Sequence, residues 1–271
     1  MCGRYIVVSK IEKIEKRFGV SAALVSDQFQ TNFNVSPGDY APVITLEKPR
    51  EIQLYRFGMR PHWAKKPMYL INARSEGDYN KENDVNYRGN MGIKEKPSFR
   101  KPFRSQRCIV IADAFIEGTV KDKLNKPYVV YPINKSERPF AFAGLYDQWV
   151  NTETGEITSS FSIITSVATP LLLKLPHHRS PVILNDRDEE MTWLNNTSSI
   201  SELESLLRPP NAPNFNAYPI NNRIKNAYIK DSSLIQPIGE RVLPEYDYMI
   251  HNDIELVGMG MTGSRKRKLE K

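Results

Sequence analysis

Short apolar segments, separated by proline, glycine or polar residues, are the feature that most constrains the fold of this 271-residue chain. Segments rich in β-branched and aromatic residues predict buried strands. They lie at 41–46, 51–58, 108–118, 126–133, 139–150, 161–168 and 180–184. We find no internal repeat and no linker that would divide the body of the chain. The sequence therefore predicts one α+β domain with many short strands.

Helical signals are fewer and shorter. Apolar residues at positions 11, 14 and 18 have helical spacing, and residues 169–175 also favour a helix. Capping-box patterns predict the starts of two more helices, with Asp186 and Glu189 in one and Ser201 and Glu204 in the other.

Two polar stretches stand apart from this pattern. Residues 77–94 are rich in glycine and asparagine, which predicts a mobile insertion. Residues 253–271 are Gly-rich and then basic, which predicts a disordered tail and a domain spanning 2–252. The last seven residues contribute +4 of the net charge of +7, so the basic character of the chain is a weak sign of an anionic partner.

Several function classes lack their signatures. No apolar run approaches the roughly 20 residues of a membrane-spanning helix, and two cysteines cannot build a disulfide framework. Metal-ligand spacings, a P-loop, a dinucleotide-binding glycine motif and a serine-hydrolase motif are missing from the sequence. We expect a soluble cytoplasmic protein without metal or cofactor, in which Cys108 is a buried structural cysteine.

Cys2 is the unusual residue. Removal of Met1 would leave a 1,2-aminothiol, with an amine of pKa about 7.7–8.0 beside a thiol of pKa about 8.5. The amine can capture an aldehyde as a Schiff base, and the thiol can then close a thiazolidine ring on the same carbon. The plain alternative is that Cys2 is only a small residue at the start of a strand.

Eight short segments occur in register along the chain: MCGRY (1–5), FNVSPG (33–38), RFGMRPHWA (56–64), LINARSE (70–76), KPSFRKPF (96–103), RCIVIADAFIEG (107–118), PFAFAGLY (139–146) and HHRSPVIL (177–184). Taken together, they resemble the SRAP family, the SOS-response-associated peptidase fold whose members crosslink to abasic sites in DNA. The resemblance runs from residue 2 to about 226 and implies a single domain with mixed and antiparallel sheets, a barrel-like core and flanking helices.

The resemblance implies a catalytic set. The processed Cys2 would attack the ring-opened aldehyde of an abasic site, and Asn72 would position the reacting groups. Glu117 would act as general acid and base, and His177 would transfer protons at the Schiff base. Each has a plain alternative: a turn residue for Asn72, an exposed strand-end carboxylate for Glu117 and a surface polar residue for His177.

The resemblance also implies a DNA contact surface. Arg4, Arg74 and Arg179 would hold phosphates, while Trp63 and Pro37 would stack on bases or wedge between them. Core packing is the alternative for Trp63, and the basic residues of 96–107 fit either a larger footprint or a solvated helix face. The expected partner is single-stranded DNA with abasic sites, bound by a monomer that is nucleoid-associated if the source is bacterial.

Two positions depart from the family pattern. Ile116 and Gly118 flank Glu117 where the family has aromatic residues, and His178 stands where the family has aspartate. The first change removes a stacking surface, and the second removes a carboxylate beside His177. In the crosslinking interpretation, the protein removes its own Met1 as a peptidase-like step and has lyase-like Schiff-base chemistry. Two other functions stay open, a non-covalent reader of damaged or modified DNA and a cysteine-type peptidase.

Overall fold

Strands dominate the computed structural model, which describes residues 3–207 and 214–245. The strands of this part are β1 Arg4–Val7, β2 Asn32–Val35, β3 Tyr40–Thr45, β4 Ile52–Phe57, β5 Asn72–Arg74, β6 Arg107–Ala112, β7 Ala114–Thr119, β8 Lys123–Pro132, β9 Phe140–Val150, β10 Ile157–Val167, β11 Arg179–Pro181, β12 Ile183–Leu184 and β13 Phe215–Pro219. Its α-helices are α1 Ile11–Phe18, α2 Arg100–Ser105, α3 Pro170–Lys174, α4 Arg187–Trp193 and α5 Ile200–Leu206.

Five strands form a closed ring. β9 pairs with β6, β6 with β3, β3 with β4, β4 with β10, and β10 returns to β9. Only the β4–β10 pair of this ring is parallel. The interior is filled by aromatic and aliphatic side chains, including Phe57, Phe142 and Phe161, which are fully buried. The single α+β domain with a barrel-like core and mixed sheets is confirmed.

A second sheet of five strands has the order β13-β8-β7-β1-β2. Alternate residues of its strands face opposite sides, as the pleat requires. Tyr5 and Phe115 belong to the core shared with the ring, whereas Ile6 and Ile116 belong to a smaller core on the other face. That smaller core is closed by 3-10 helices at 222–225 and 232–235. Both faces of the sheet are therefore buried.

Asp113 divides the apolar run 108–118 into β6 of the ring and β7 of the second sheet. Its buried carboxylate accepts hydrogen bonds from the backbone N–H groups of Val8 and Ser9 and from the Ser9 hydroxyl. A carboxylate inside an apolar run is stable only when it is hydrogen-bonded in this way. The single expected strand is therefore two strands, which join the two sheets.

The helix predictions are confirmed with one exception. α1 spans Ile11–Phe18, α3 lies within 169–175, and Asp186 caps α4 by accepting from the Glu189 N–H. The capping box predicted at Ser201 is wrong, because α5 begins two residues earlier, with Ser199 as its cap and Glu202 as the reciprocal partner.

Arg107 joins the ends of two helices beneath the ring. Its guanidinium is buried and donates to the backbone carbonyl oxygens of Phe103 and Arg104, in the last turn of α2. It also donates to those of Trp193, the last residue of α4, and Asn195, just beyond it. Burial lowers the pKa of Arg107 to about 10. The neighbouring Cys108 is fully buried, as predicted, and burial raises the pKa of its thiol.

The polar stretch 77–94 is attached to the domain at both ends. Asn80 is buried near its start, and Met91, Gly92 and Ile93 are buried at its end. The backbone N–H of Ile93 donates to the Ser75 carbonyl, so the segment closes back onto β5. A few apolar residues anchor its end, and the predicted mobility of the insertion stays a prediction.

The remaining predictions concern the C-terminal tail, membrane-spanning helices and metal sites. The predicted disordered tail at 253–271 lies outside the described residues. Across 3–207 and 214–245, no helix has the length and apolar character needed to cross a membrane. Within the same ranges, no three His, Cys, Asp or Glu side chains are grouped so that they could hold a metal ion.

Candidate active site

A cavity of about 830 Å³ opens where the second sheet meets the loop after α3. This volume lies within the usual range for ligand sites. One side is carboxylate and imidazole, and the other is aliphatic with a rim of cations. The lining residues are Gly3, Arg4, Pro37, Ile71, Ile116, Glu117, Gly118, Thr119, Val120, Lys123, Leu124, Asn125, His177, His178 and Lys225.

Glu117 lies on β7, opposite the start of β1. The antiparallel register pairs Arg4 with Ile116, so its continuation sets Gly3 against Glu117. Only 3% of Glu117 is exposed. Burial raises the pKa of its carboxyl to about 7, because the charged form loses its hydration. Glu117 can therefore either donate or accept a proton near neutral pH.

His177 follows α3 and faces Glu117 across the cavity floor. Its Nδ1 lies 2.8 Å from the Arg179 carbonyl oxygen, an acceptor only, and 3.4 Å from the Arg179 backbone N–H, a donor. The shorter contact assigns the proton to Nδ1. Nε2 then directs its lone pair toward Glu117 Oε2, 3.4 Å away. Burial lowers the pKa of His177 to about 4. At neutral pH the imidazole is therefore uncharged. When His177 and Glu117 hold one proton at their shared contact, that proton lies on the Glu117 carboxyl.

The two departures from the family pattern have local physical reasons. A Cβ on Gly118 would lie 1.7 Å from the Lys123 carbonyl oxygen, because the hairpin after β7 crosses close to the strand. Side chains of that hairpin, Val120 and Leu124, line the cavity beside Glu117. His178 stacks on His177 with ring centroids 5.5 Å apart, and burial lowers its pKa.

Arg4 and Pro37 line the same cavity, as the sequence suggested for residues near the reactive centre. The half-buried Arg4 donates to the Ser36 hydroxyl, and its second nitrogen lies 3.2 Å from the Lys225 carbonyl oxygen. Burial lowers the pKa of Arg4, with Asp39 opposing the shift. These bonds hold its guanidinium at the cavity rim.

Asn72 and Arg74 are on β5. Ile71, the residue before this strand, lines the cavity. Asn72 pairs with Ile163 of β10, and its Nδ2 lies 3.5 Å from the Ile163 carbonyl oxygen. Arg74 donates to the Asn80 carbonyl and to Asn83 Oδ1 in the stretch 77–94. Neither side chain lines the cavity, so the roles predicted for both stay predictions.

Arg179 differs most from its predicted surroundings. Its guanidinium is buried and forms two hydrogen bonds with the carboxylate of Glu76, at 3.1 and 2.8 Å. It also donates to the Thr165 carbonyl oxygen at 2.7 Å. The geometry therefore gives Arg179 internal partners rather than an open path to a DNA phosphate. Glu76 was missed by sequence reasoning, although it ends the quoted segment LINARSE.

Trp63 and Cys2 complete the set of predicted residues. Trp63 is 47% exposed, so it is not the core residue that its plain alternative describes. It does not line the cavity. Met1 and Cys2 lie outside the described residues. The structure thus brings Arg4, Pro37, Glu117 and His177 together, and their roles stay predictions.

Fold and site together define a class of protein, a barrel-cored α+β domain with a buried glutamate–histidine pair beside the start of its first strand. The chain belongs to the SOS response associated peptidase (SRAP) family, whose model matches residues 1–227.

Relatives with curated names cover most of the chain. It is 33% identical over 241 residues to the abasic site processing protein YoqW of Bacillus subtilis, covering 87% of this chain and 99% of that protein. It is 28% identical to the abasic site processing protein HMCES of Pongo abelii, covering 78% and 66% respectively. A crystal structure of a protein from Bacteroides thetaiotaomicron matches with a TM-score of 0.68 and 30% identity, covering 82% of this chain and 93% of that one.

Proposed function

We propose that this protein processes abasic sites, by forming a covalent thiazolidine crosslink between Cys2 and the ring-opened aldehyde of an abasic site in single-stranded DNA. The observation that carries the proposal is the buried Glu117–His177 pair in a cavity that Gly3 also lines. The names of the relatives in Bacillus subtilis and Pongo abelii, both abasic site processing proteins, support the substrate.

Gly3, which lines the cavity, is the neighbour of Cys2 in the sequence, and this adjacency supports the assignment of Cys2 as the nucleophile. Removal of Met1 would free the α-amine of Cys2. We include removal of Met1 by the protein itself in the proposal, as its peptidase-like step.

The proposed chemistry balances with one water released. The Cys2 amine adds to C1′ of the open-chain sugar, and the carbinolamine then loses its hydroxyl with a proton to give an imine. The Cys2 sulfur next bonds to the imine carbon, and the thiol proton passes to nitrogen. One C–N and one C–S bond replace the C=O bond, and no oxidant, metal or cofactor enters the balance.

Glu117 and His177 fit the proton transfers of these steps. Loss of hydroxide needs an acid, and a carboxyl whose pKa is raised to about 7 is partly protonated at neutral pH. Nε2 of the neutral His177 can accept a proton from the attacking amine, because Nδ1 already donates to the Arg179 carbonyl. Asn72 would position the sugar by hydrogen bonding, as the family resemblance implies.

The remaining cavity suits a strand of DNA. Arg4, Lys123 and Lys225 supply positive charge at its rim, and Pro37 and Leu124 supply apolar surface. Arg74 and the exposed Trp63 remain candidates for contacts with flanking nucleotides, whereas the buried Arg179 is already bonded to Glu76 and Thr165. Single-stranded substrate is favoured because a lesion within a duplex must first be unstacked at a cost of a few kcal/mol.

The test uses an oligonucleotide with one abasic site and a denaturing gel. Intact-mass measurement first establishes that Met1 is absent from the purified protein. We expect a shifted band with the wild type and with Cys108→Ala, whose thiol is deeply buried, and none with Cys2→Ala. A protein that lacks Met1, binds the oligonucleotide and gives no band would refute the proposal.

A binding assay and a peptide-cleavage assay, run beside the gel, separate the two rival functions. A non-covalent reader would bind abasic and intact DNA reversibly, with a salt dependence that reports the number of phosphate contacts. A cysteine peptidase acting on other proteins would cleave peptide substrates in a Cys2-dependent manner and give no DNA adduct.

A further inference from the structure

The buried carboxylate of Glu76 is connected to His177 through a single residue, Arg179. Glu76 is 1% exposed, lies just after β5 and does not line the cavity. Its two oxygens accept from both terminal nitrogens of the Arg179 guanidinium. A bidentate pair of this kind fixes the orientation of both partners.

Arg179 is held on the remaining side by β10. Its Nη2 donates to the Thr165 carbonyl oxygen at 2.7 Å and lies 3.2 Å from the Thr165 hydroxyl. Its backbone pairs with Val167. β11 has only three residues, so the direction of the Arg179 carbonyl depends on the anchored side chain as well as on the strand pairing.

That carbonyl determines which nitrogen of His177 carries the proton. It accepts from Nδ1 at 2.8 Å, which leaves Nε2 as the lone-pair nitrogen facing Glu117. Tautomer choice in proteins is set by the partner of the other ring nitrogen. A displaced carbonyl would allow the imidazole to rotate or to exchange tautomers, and either change would remove the acceptor from Glu117.

We propose that Glu76 is a positioning residue, which fixes the tautomer and orientation of His177 by holding Arg179. The inference rests on the proposed function for its effect on rate, but its structural part stands by itself. A buried ion pair brings little net stability, because both charges lose their hydration. A positioning role therefore gives a reason for the buried carboxylate of Glu76.

The chain offers a matched control at Glu190. This carboxylate is 0% exposed and forms two hydrogen bonds with the guanidinium of Arg17, at 2.7 and 3.3 Å, and a third with Arg187 at 3.3 Å. None of these residues lines the cavity. Glu190→Gln therefore disrupts a buried carboxylate with a bidentate arginine partner without touching Arg179. A loss that comes only from weakened folding should be common to both variants.

The experiment compares Glu76→Gln with Glu190→Gln in the full-length protein lacking Met1. Long-range 15N NMR of the histidine rings reports the tautomer of His177, and single-turnover crosslinking at saturating abasic oligonucleotide reports the rate. We expect Glu76→Gln to mix the two tautomers and to slow crosslinking about 10- to 100-fold, a range consistent with small misplacements of reacting groups. Glu190→Gln should keep the wild-type tautomer and rate.

Glu76→Asp decides the matter if the glutamine variant does not fold. It keeps the carboxylate and shortens the side chain, so it should recover the Nδ1–H tautomer and most of the rate. The proposal is overturned if Glu76→Gln keeps both the tautomer and the rate. It is also overturned if Glu76→Asp folds but loses the Nδ1–H tautomer while Glu190→Gln keeps it. A wild type with the fixed tautomer but no crosslink would refute the proposed function alone.

Discussion

Replacing Glu117 with glutamine should raise the stability of the protein at alkaline pH while removing its proton donor. The carboxyl has an ordinary pKa of 4.5, which burial raises to about 7 in the folded protein. The unfolded chain therefore loses its proton first. Stability contributed by the protonated form is complete below pH 4.5 and is lost as the pH rises through 7.

The magnitude follows from the two pKa values. Each pH unit between them corresponds to about 1.4 kcal/mol, so the cost of ionising Glu117 in the fold approaches about 3 kcal/mol at pH 8. Glutamine carries no charge at any pH, and its amide can donate to Nε2 of His177, which replaces the protonated carboxyl. The variant and the wild type both keep His177, so its own titration cancels in the difference.

Urea unfolding at pH 5, 6, 7 and 8 measures this difference. The free energy of unfolding of Glu117→Gln should match that of the wild type near pH 5 and exceed it by about 3 kcal/mol at pH 8, with unchanged m-values. A difference that is the same at every pH would refute the reasoning, because burial would then not be what raises the pKa of Glu117.

Three further predictions concern the rate and the fold. Crosslinking should have a bell-shaped pH profile with its maximum at about pH 7–8, since it needs a protonated Glu117 and a deprotonated Cys2 amine, whose pKa is about 7.7–8.0. Gels of samples stopped at successive times measure the rate, and a rate that only rises with pH excludes Glu117 as the acid. Arg107→Ala should lower the free energy of unfolding by about 4 kcal/mol, since two buried and two partly buried carbonyl oxygens lose a donor. Calorimetry should show a Tm lower by roughly 10 °C, and an unchanged Tm contradicts this role. Gly118→Ala should reduce both Tm and crosslinking, because its Cβ would overlap the Lys123 carbonyl; a fully active, stable variant would contradict the close approach of the hairpin.

Local patterns in the sequence predicted the elements that depend on neighbours in the chain. Helix α1 and the cap at Asp186 follow from spacing and side-chain type within one or two turns. The error at Ser201 has the same origin, since Ser199 and Glu202 present an equally good capping pattern two residues earlier. Sequence spacing alone does not distinguish two overlapping boxes.

Features that depend on distant partners were not predictable in the same way. The break at Asp113 is set by Val8 and Ser9, more than a hundred residues earlier. Arg179 looked like a free cation beside a histidine, but its partner Glu76 lies just after another strand, β5. One signal was present in each case, a lone carboxylate within or directly after a segment that otherwise packs in the core.

The closed ring has a consequence for how the protein opens locally. β10 pairs with the ring strand β9 only as far as Ile163, and its last residues instead pair with the short strands β5 and β11. Amide protons of the ring should therefore exchange with solvent only through global unfolding, whereas those of β5 and β11 can exchange through opening of the short strands. β5, which carries Asn72 and Arg74, and β11, which carries Arg179, can thus be loosened or substituted while the barrel stays intact. This side of the site can therefore change in evolution without a loss of stability in the barrel.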